Sequence, residues 1–132
     1  MLWPFCFTIK YSRNKKRNGC MIGYESLKNY RNFQNVYKNG KSYANKYLVM
    51  YILENGTDIN QVGISVSKKV GNSIVRHRLT RLIRESVRLN VENISKGYDI
   101  VIIARAGLKD KKFKETESAF LHLAKLHGIR KL

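Results

Sequence analysis

The chain has 132 residues, with 26 Lys and Arg against 9 Asp and Glu and a formal net charge of +17. That length suits one domain with one modest core, and a 43% hydrophobic content is too high for a disordered basic tail. So large an imbalance costs folding energy through self-repulsion, which points to a polyanionic partner. Nucleic acid fits better than a membrane surface, because no Trp/Phe-faced amphipathic helix or lipid-anchor motif is found beyond the first few residues.

The stretch Leu2 to Ile9 is apolar but far short of the ~20 residues that span a bilayer. Its positive charges (Lys10, Arg13, Lys15, Lys16 and Arg17) follow the apolar stretch, the reverse of a signal peptide. Residues 1–20 are expected to be a disordered extension or a misassigned start, with Met21 as an alternative first residue, and residues 21–132 a single domain. Cys6 and Cys20 have no second pair with which to build a four-ligand zinc site, so two free thiols in a reducing cytoplasm are expected.

Tyr30, Phe33, Val36 and Tyr37 recur at helical spacing, which predicts a helix over Leu27 to Lys38 with Gly40 as its C-terminal cap. Tyr47 to Leu53, rich in aromatic and branched residues, reads as a buried strand. Asn55-Gly56 marks a turn. Val62 to Ser67 then alternates, with Val62, Ile64 and Val66 on one side and Gly63, Ser65 and Ser67 on the other, so the two strands are expected to form a hairpin. Asn72 suits the N-cap of a long helix running to about Val91. Tyr98 to Ala104 is a further strand, and Phe113 to His127 an amphipathic helix with Phe113, Phe120 and Ala124 on one side. The order helix–strands–helix–strand–helix predicts an α/β (α+β) two-layer sandwich, αβββαβα, with a small mixed sheet and a long basic helix.

The segment Lys68 to Arg88 carries seven positive residues and one acid, Glu85. At about 100° per residue, Val75, Leu79, Leu82 and Ile83 cluster on one side with Val87 at the edge, Arg81, Arg84 and Arg88 fall opposite, and Arg76 and Arg78 flank the stripe. A merely solvated face is usually laced with opposite charges three or four residues apart. Here Glu85 can serve Arg81 or Arg88 and the others have none. Phosphate, which Arg grips with two parallel hydrogen bonds, is the natural partner. Arg76-His77-Arg78 splay about 100° apart and can reach more than one strand of a folded RNA, with His77 able to hydrogen-bond or stack.

The stretch GISVSKKVGNSIVRHRLTRLIRES, Gly63 to Ser86, closely resembles the signature of the bacterial ribonuclease P protein family, in which a Ser-Val-Ser strand leads through Lys-Lys and Gly-Asn into an arginine-rich helix with an Arg-Asn-Arg core. NFQNVYKNGKSYANKYLVMYIL resembles its first helix and early strands, and GYDIVIIAR its last strand, so the resemblance spans roughly residues 25–127. His77 stands where the family usually has Asn and Thr80 where Lys is common, and the basic cluster before the first helix is displaced into the N-terminal extension. The resemblance implies a protein subunit that binds ribonuclease P RNA and the 5′ leader of precursor tRNA, while the RNA, with magnesium, cuts the phosphodiester. By the same resemblance Lys68, Lys69, Asn72, Arg76, His77, Arg78, Arg81, Arg84 and Arg88 face the catalytic RNA. Phe33, Tyr37 and Tyr51 would line a leader cleft between the sheet and the first helix, where rings suit unpaired bases; from spacing alone, Phe33 and Tyr37 also fit an ordinary core.

The nine acids are scattered over turns and helix surfaces, and His122 and His127 face different directions, so no paired-carboxylate or paired-histidine site for hydrolysis is expected. No Walker A loop, dinucleotide fingerprint or His-Glu-x-x-His run occurs. The protein alone is expected to be inert, to bind no cofactor and to need neither a membrane nor a protein partner. A structural RNA-binding protein of the ribosomal type is the competing reading.

Overall fold

The computed structural model describes residues 24–27 and 29–130. The expectations for residues 1–20, including the thiols of Cys6 and Cys20, lie outside them. The elements in chain order are β1 (Tyr24–Ser26), α1 (Tyr30–Asn39), β2 (Lys41–Ala44), β3 (Leu48–Glu54), β4 (Asn60–Ser65), α2 (Ser73–Asn90), β5 (Tyr98–Ala104) and α3 (Phe113–Leu126). The sheet order is β1-β4-β5-β3-β2, parallel across β1, β4 and β5 and antiparallel from β5 through β3 to β2. A mixed sheet with a long basic helix is thus the observed architecture. Helix α1 starts three residues later than expected. Leu27 is not helical; it is buried just after β1 and its N–H donates to the Val62 carbonyl.

The expected hairpin between β3 and β4 does not form, because β5 lies between them. Residues 62–65 of β4 are all buried, and Ile100, Val101 and Ile102 of β5 are buried as well. Strands buried on both faces belong in the middle of a sheet, with a neighbour on each side. The Asn55-Gly56 turn is real, but it is tied to the start of β5: the Asn55 N–H donates to the Gly97 carbonyl, and its side-chain amide donates to Asp99 Oδ1 at 2.9 Å. Asn60 strengthens the same junction, accepting from Tyr98 N–H and donating to the Ser95 carbonyl. The hairpin that does form joins β2 to β3, with Asn45 Oδ1 accepting from Tyr47 and Leu48 N–H at 3.0 and 2.9 Å.

The two faces of the sheet are covered differently. Leu48, Met50, Ile52, Val62, Ile64, Ile100 and Ile102 face α2 and α3, which contribute Leu79, Ile83, Val87, Phe120 and Leu123 to the main core. The other face carries a smaller cluster of Leu27, Phe33, Val36 and Val101 under α1, with Tyr37, Tyr51, Leu53 and Ile103 half-buried at its edge. Helix α1 therefore adds a partial third layer to the expected two. Gly63 makes its approach possible, since a Cβ there would lie 2.5 Å from Phe33 Cζ.

His127, just after α3, donates from Nε2 to the Met50 carbonyl at 2.9 Å and packs edge-on to Tyr43, tying the helix end to the sheet. Burial, partly offset by the Met50 carbonyl, lowers its pKa below the ordinary 6.5. The fold therefore favours the neutral ring. Its stabilising contribution is present above pH 6.5 and lost as the pH falls through the lowered value. The urea midpoint is expected to fall between pH 7.5 and pH 5.5, and to fall less in His127→Gln. Gly63→Ala is expected to cost about 1–3 kcal/mol in urea unfolding through overpacking against Phe33, with partial recovery in the double variant that adds Phe33→Leu.

Candidate nucleic-acid interface

Helix α2 is held by its apolar side and shows its charged side. Asn72 caps it as expected, its Oδ1 accepting from Val75 N–H at 3.0 Å. Leu79, Ile83 and Val87 are buried, with Val75 and Leu82 packed at the margin. His77, Arg81, Arg84 and Arg88 follow one another at spacings of four, three and four, within an arc of about 60° and over about 17 Å of helix. Ser73, Ile74, His77, Arg78, Arg81 and Leu82 line a shallow open concavity, with Ile74 77% exposed. Lys68 and Lys69 are exposed on the turn that feeds the helix, closed by Val70 N–H on the Ser67 carbonyl and anchored by buried Val70.

The basic residues nevertheless differ in what they already touch. Arg81 is exposed, and no hydrogen bond or ion pair to it is found among the described residues. Arg88 is gripped by Glu85 through two hydrogen bonds, Nε to Oε1 at 3.0 Å and a second terminal contact at 2.5 Å; this is the one ion pair between described residues. That bond holds the Glu85 carboxyl below its ordinary pKa. Arg78 reaches sideways, donating to the Lys109 carbonyl at 3.2 Å and the Lys111 carbonyl at 2.6 Å. Arg76 and Arg84 are half-buried. Arg84 lies close enough to Tyr24, with Arg88, to offset part of the burial that pushes the Tyr24 hydroxyl up to about 12. Thr80 does not sit on the exposed face: it is buried and its hydroxyl donates to the Arg76 carbonyl at 2.8 Å, so the charge missing at this position is not missing from the exposed arc.

The three aromatic residues come together, but on unequal terms. The Tyr37 and Tyr51 rings meet edge-on at 5.0 Å and 74°, and Phe33 lies 6.4 Å from Tyr37. Tyr37 and Tyr51 are half-buried, whereas Phe33 is fully buried beneath Gly63, Leu27 and Val36. Phe33 is thus a core residue that supports the tyrosines, and no base can lie on it without unpacking α1. Burial, with Tyr51 nearby, raises the Tyr37 hydroxyl pKa.

Nothing among the described residues resembles a hydrolytic centre. No three His, Cys, Asp or Glu side chains gather to hold a metal ion. Asp99 is used by Asn55, and His122 lies 3.4 Å from the Asn45 amide. No helix among the described residues is long and apolar enough to cross a membrane. A second concentration of charge, from Arg105 to Lys114, escaped the sequence reading. It is split between a loop and a helix start, so no periodicity announces it.

These contacts separate two kinds of arginine on α2. Arg78→Ala is expected to lower the unfolding free energy of the free protein by about 1–2 kcal/mol, since it removes a cation from two backbone carbonyls. Arg81→Ala should leave it within about 0.5 kcal/mol. Urea titration of the two variants without RNA makes the comparison.

The family profile described as Ribonuclease P matches residues 21–127. The chain is 67% identical over 105 residues to the ribonuclease P protein component of Lachnoclostridium phytofermentans, covering 80% of this chain and 90% of the relative. It is 55% identical over 106 residues to that of Clostridioides difficile, covering 80% and 93%. Among solved structures, the Staphylococcus aureus RNase P protein superposes with a TM-score of 0.74 at 35% identity, covering 80% of this chain and 96% of that one. The Thermotoga maritima RNase P protein gives 0.72 at 37% identity, covering 77% and 96%. A fold and a sequence that both match these relatives over most of the chain have one reading: the chain belongs to the ribonuclease P protein family, the protein subunit of the endoribonuclease ribonuclease P.

Proposed function

We propose that this subunit works by holding two RNAs on two different surfaces. Lys68, Lys69 and the exposed face of α2, with Arg81 at its centre, take phosphates of the catalytic RNA. Arg76, His77 and Arg84 border that contact, Asn72 sets where the helix begins, and Arg88 can join it by exchanging Glu85 for phosphate. The single observation that carries this reading is the exposed arc of α2, where the only acid, Glu85, is already taken by Arg88. The 5′ leader of precursor tRNA lies on the open part of the sheet beside α1, where Tyr37 and Tyr51 are half-exposed. Bases stack on such rings regardless of sequence.

On this reading the protein supplies charge and position, and the RNA subunit, with magnesium, performs the hydrolysis. The protein needs no cofactor of its own and no membrane or protein partner. Residues 21–132 act as one domain, in the cytoplasm where tRNA is processed.

Reconstitution at low magnesium is the test. The protein alone should leave precursor tRNA intact, and adding it to a bacterial ribonuclease P RNA should strongly stimulate cleavage at the mature 5′ end. Tyr37→Ala and Tyr51→Ala are each expected to weaken binding of precursor tRNA, but not of mature tRNA, by about 1–3 kcal/mol. Equal losses for both substrates would remove the leader from this face.

A further inference from the structure

The segment that joins β5 to α3 is a second cationic surface, separate from the arc of α2. Residues 105–115 contain Arg105, Lys109, Lys111, Lys112 and Lys114 against Asp110 and Glu115. Glu115 is already occupied, its Oε1 accepting from the Lys112 N–H at 3.2 Å. Lys109, Lys112 and Lys114 are exposed, and none of the lysines in the segment forms an ion pair among the described residues. Lys46, on the β2–β3 turn, is exposed next to them.

These charges sit on a backbone fastened from three sides. Leu108 is fully buried, and the chain is folded by N–H bonds from Leu108, Lys109 and Lys111 to the carbonyls of Arg105, Ala106 and Leu108. Gly107 packs against the β2–β3 turn so closely that a Cβ would lie 2.9 Å from the Lys46 carbonyl, and Arg105 donates to the Asn45 carbonyl at 2.9 Å. On the other flank Arg78 of α2 holds the Lys109 and Lys111 carbonyls. Lys111 lies 5.7 Å over the Tyr47 ring. Beside it Lys46, Tyr47, Lys114, Ser118 and His122 line a shallow concavity that offers hydrogen-bonding groups next to the charge. A cluster of like charges on a mobile loop could spread apart to reduce its repulsion. One that is pinned keeps its field and loses little entropy when an anion arrives.

We propose that Lys46, Lys109, Lys111, Lys112 and Lys114 form a second phosphate-binding surface for an RNA backbone, joined to the α2 face by Arg78. The proposal rests on the reading that α2 binds RNA, and it extends that footprint around the molecule to the start of α3. The phosphodiester chain it takes belongs either to the RNA subunit or to precursor tRNA beyond its leader; both offer the same chemistry.

The test uses the full chain carrying Lys109→Gln, Lys112→Gln and Lys114→Gln together, with the triple Lys→Arg variant and Arg81→Ala beside it. Affinity for the RNA subunit, and of the assembled holoenzyme for precursor tRNA, is measured against potassium chloride concentration. Three lost phosphate contacts should make the slope of log K against log salt shallower by about 2–3 in one of the two arms, with the arginine triple restoring it and thermal unfolding of the free protein unchanged. A shallower slope in the assembly arm assigns the surface to the RNA subunit, and one in the substrate arm assigns it to precursor tRNA. If the glutamine triple keeps the parental slope in both arms while Arg81→Ala flattens the first, the second surface is refuted and the α2 reading stands. If neither variant changes a slope, both fail.

Discussion

Helix α2 brings cations together faster than acids can neutralise them, and the fold is arranged to hold it there. Like charges three or four residues apart each cost a helix about 0.2–0.5 kcal/mol, and the net charge of +17 adds a diffuse repulsion over the whole domain. What keeps the arginine face in place is burial on the reverse side: Leu79, Ile83 and Val87 are sunk against the sheet, and each buried aliphatic side chain contributes about 1.5–3 kcal/mol. The hydrophobic side of the helix thus offsets the strain of the charged side until a polyphosphate removes it. A partner that binds only the folded form also stabilises that form by mass action, so assembly with the RNA subunit and stability of the protein are linked.

Strand β5 lets the sheet serve two purposes at once. Its even-numbered residues Ile100 and Ile102 enter the core beneath α2 and α3, while Val101 enters the smaller core beneath α1 and Ile103 lies at its edge. One face is closed by two helices and is structural. The other is covered by α1 alone among the described helices, with the half-buried Tyr37 and Tyr51 at the margin of its smaller cluster. Arg78 links the helix and loop regions on the closed side. It spends its guanidinium on backbone carbonyls, so it shapes the cationic surface more than it adds to it.

Much of this could be read from the residues, and the failures share a cause. The N-cap at Asn72, the apolar stripe of α2 and the span of β5 follow from local chemistry and periodicity, and all three are found where the sequence places them. Periodicity gives the direction in which a side chain points, but not what it meets. The spacing of Phe33 and Tyr37 puts both rings on one side of α1, yet it cannot reveal that Gly63 lets Phe33 sink completely while Tyr37 stays at the margin. The Asn55-Gly56 turn suggests neighbouring strands, and only the burial of β4 and β5 on both faces shows that a third strand must come between. Strand β1 is three residues long, too short to produce a pattern. The carbonyls that Arg78 holds lie more than thirty residues away, beyond the reach of any local rule.

Selective modification of arginines by phenylglyoxal, read residue by residue by mass spectrometry, addresses the purpose of the α2 face most directly. In the free chain Arg81 should react quickly and Arg78 slowly, because only the first guanidinium is unengaged. Reconstitution with the RNA subunit should then shield Arg81 and leave Arg78 as it was. If Arg81 stays equally reactive in the assembled particle, the guanidinium face of α2 does not receive the RNA.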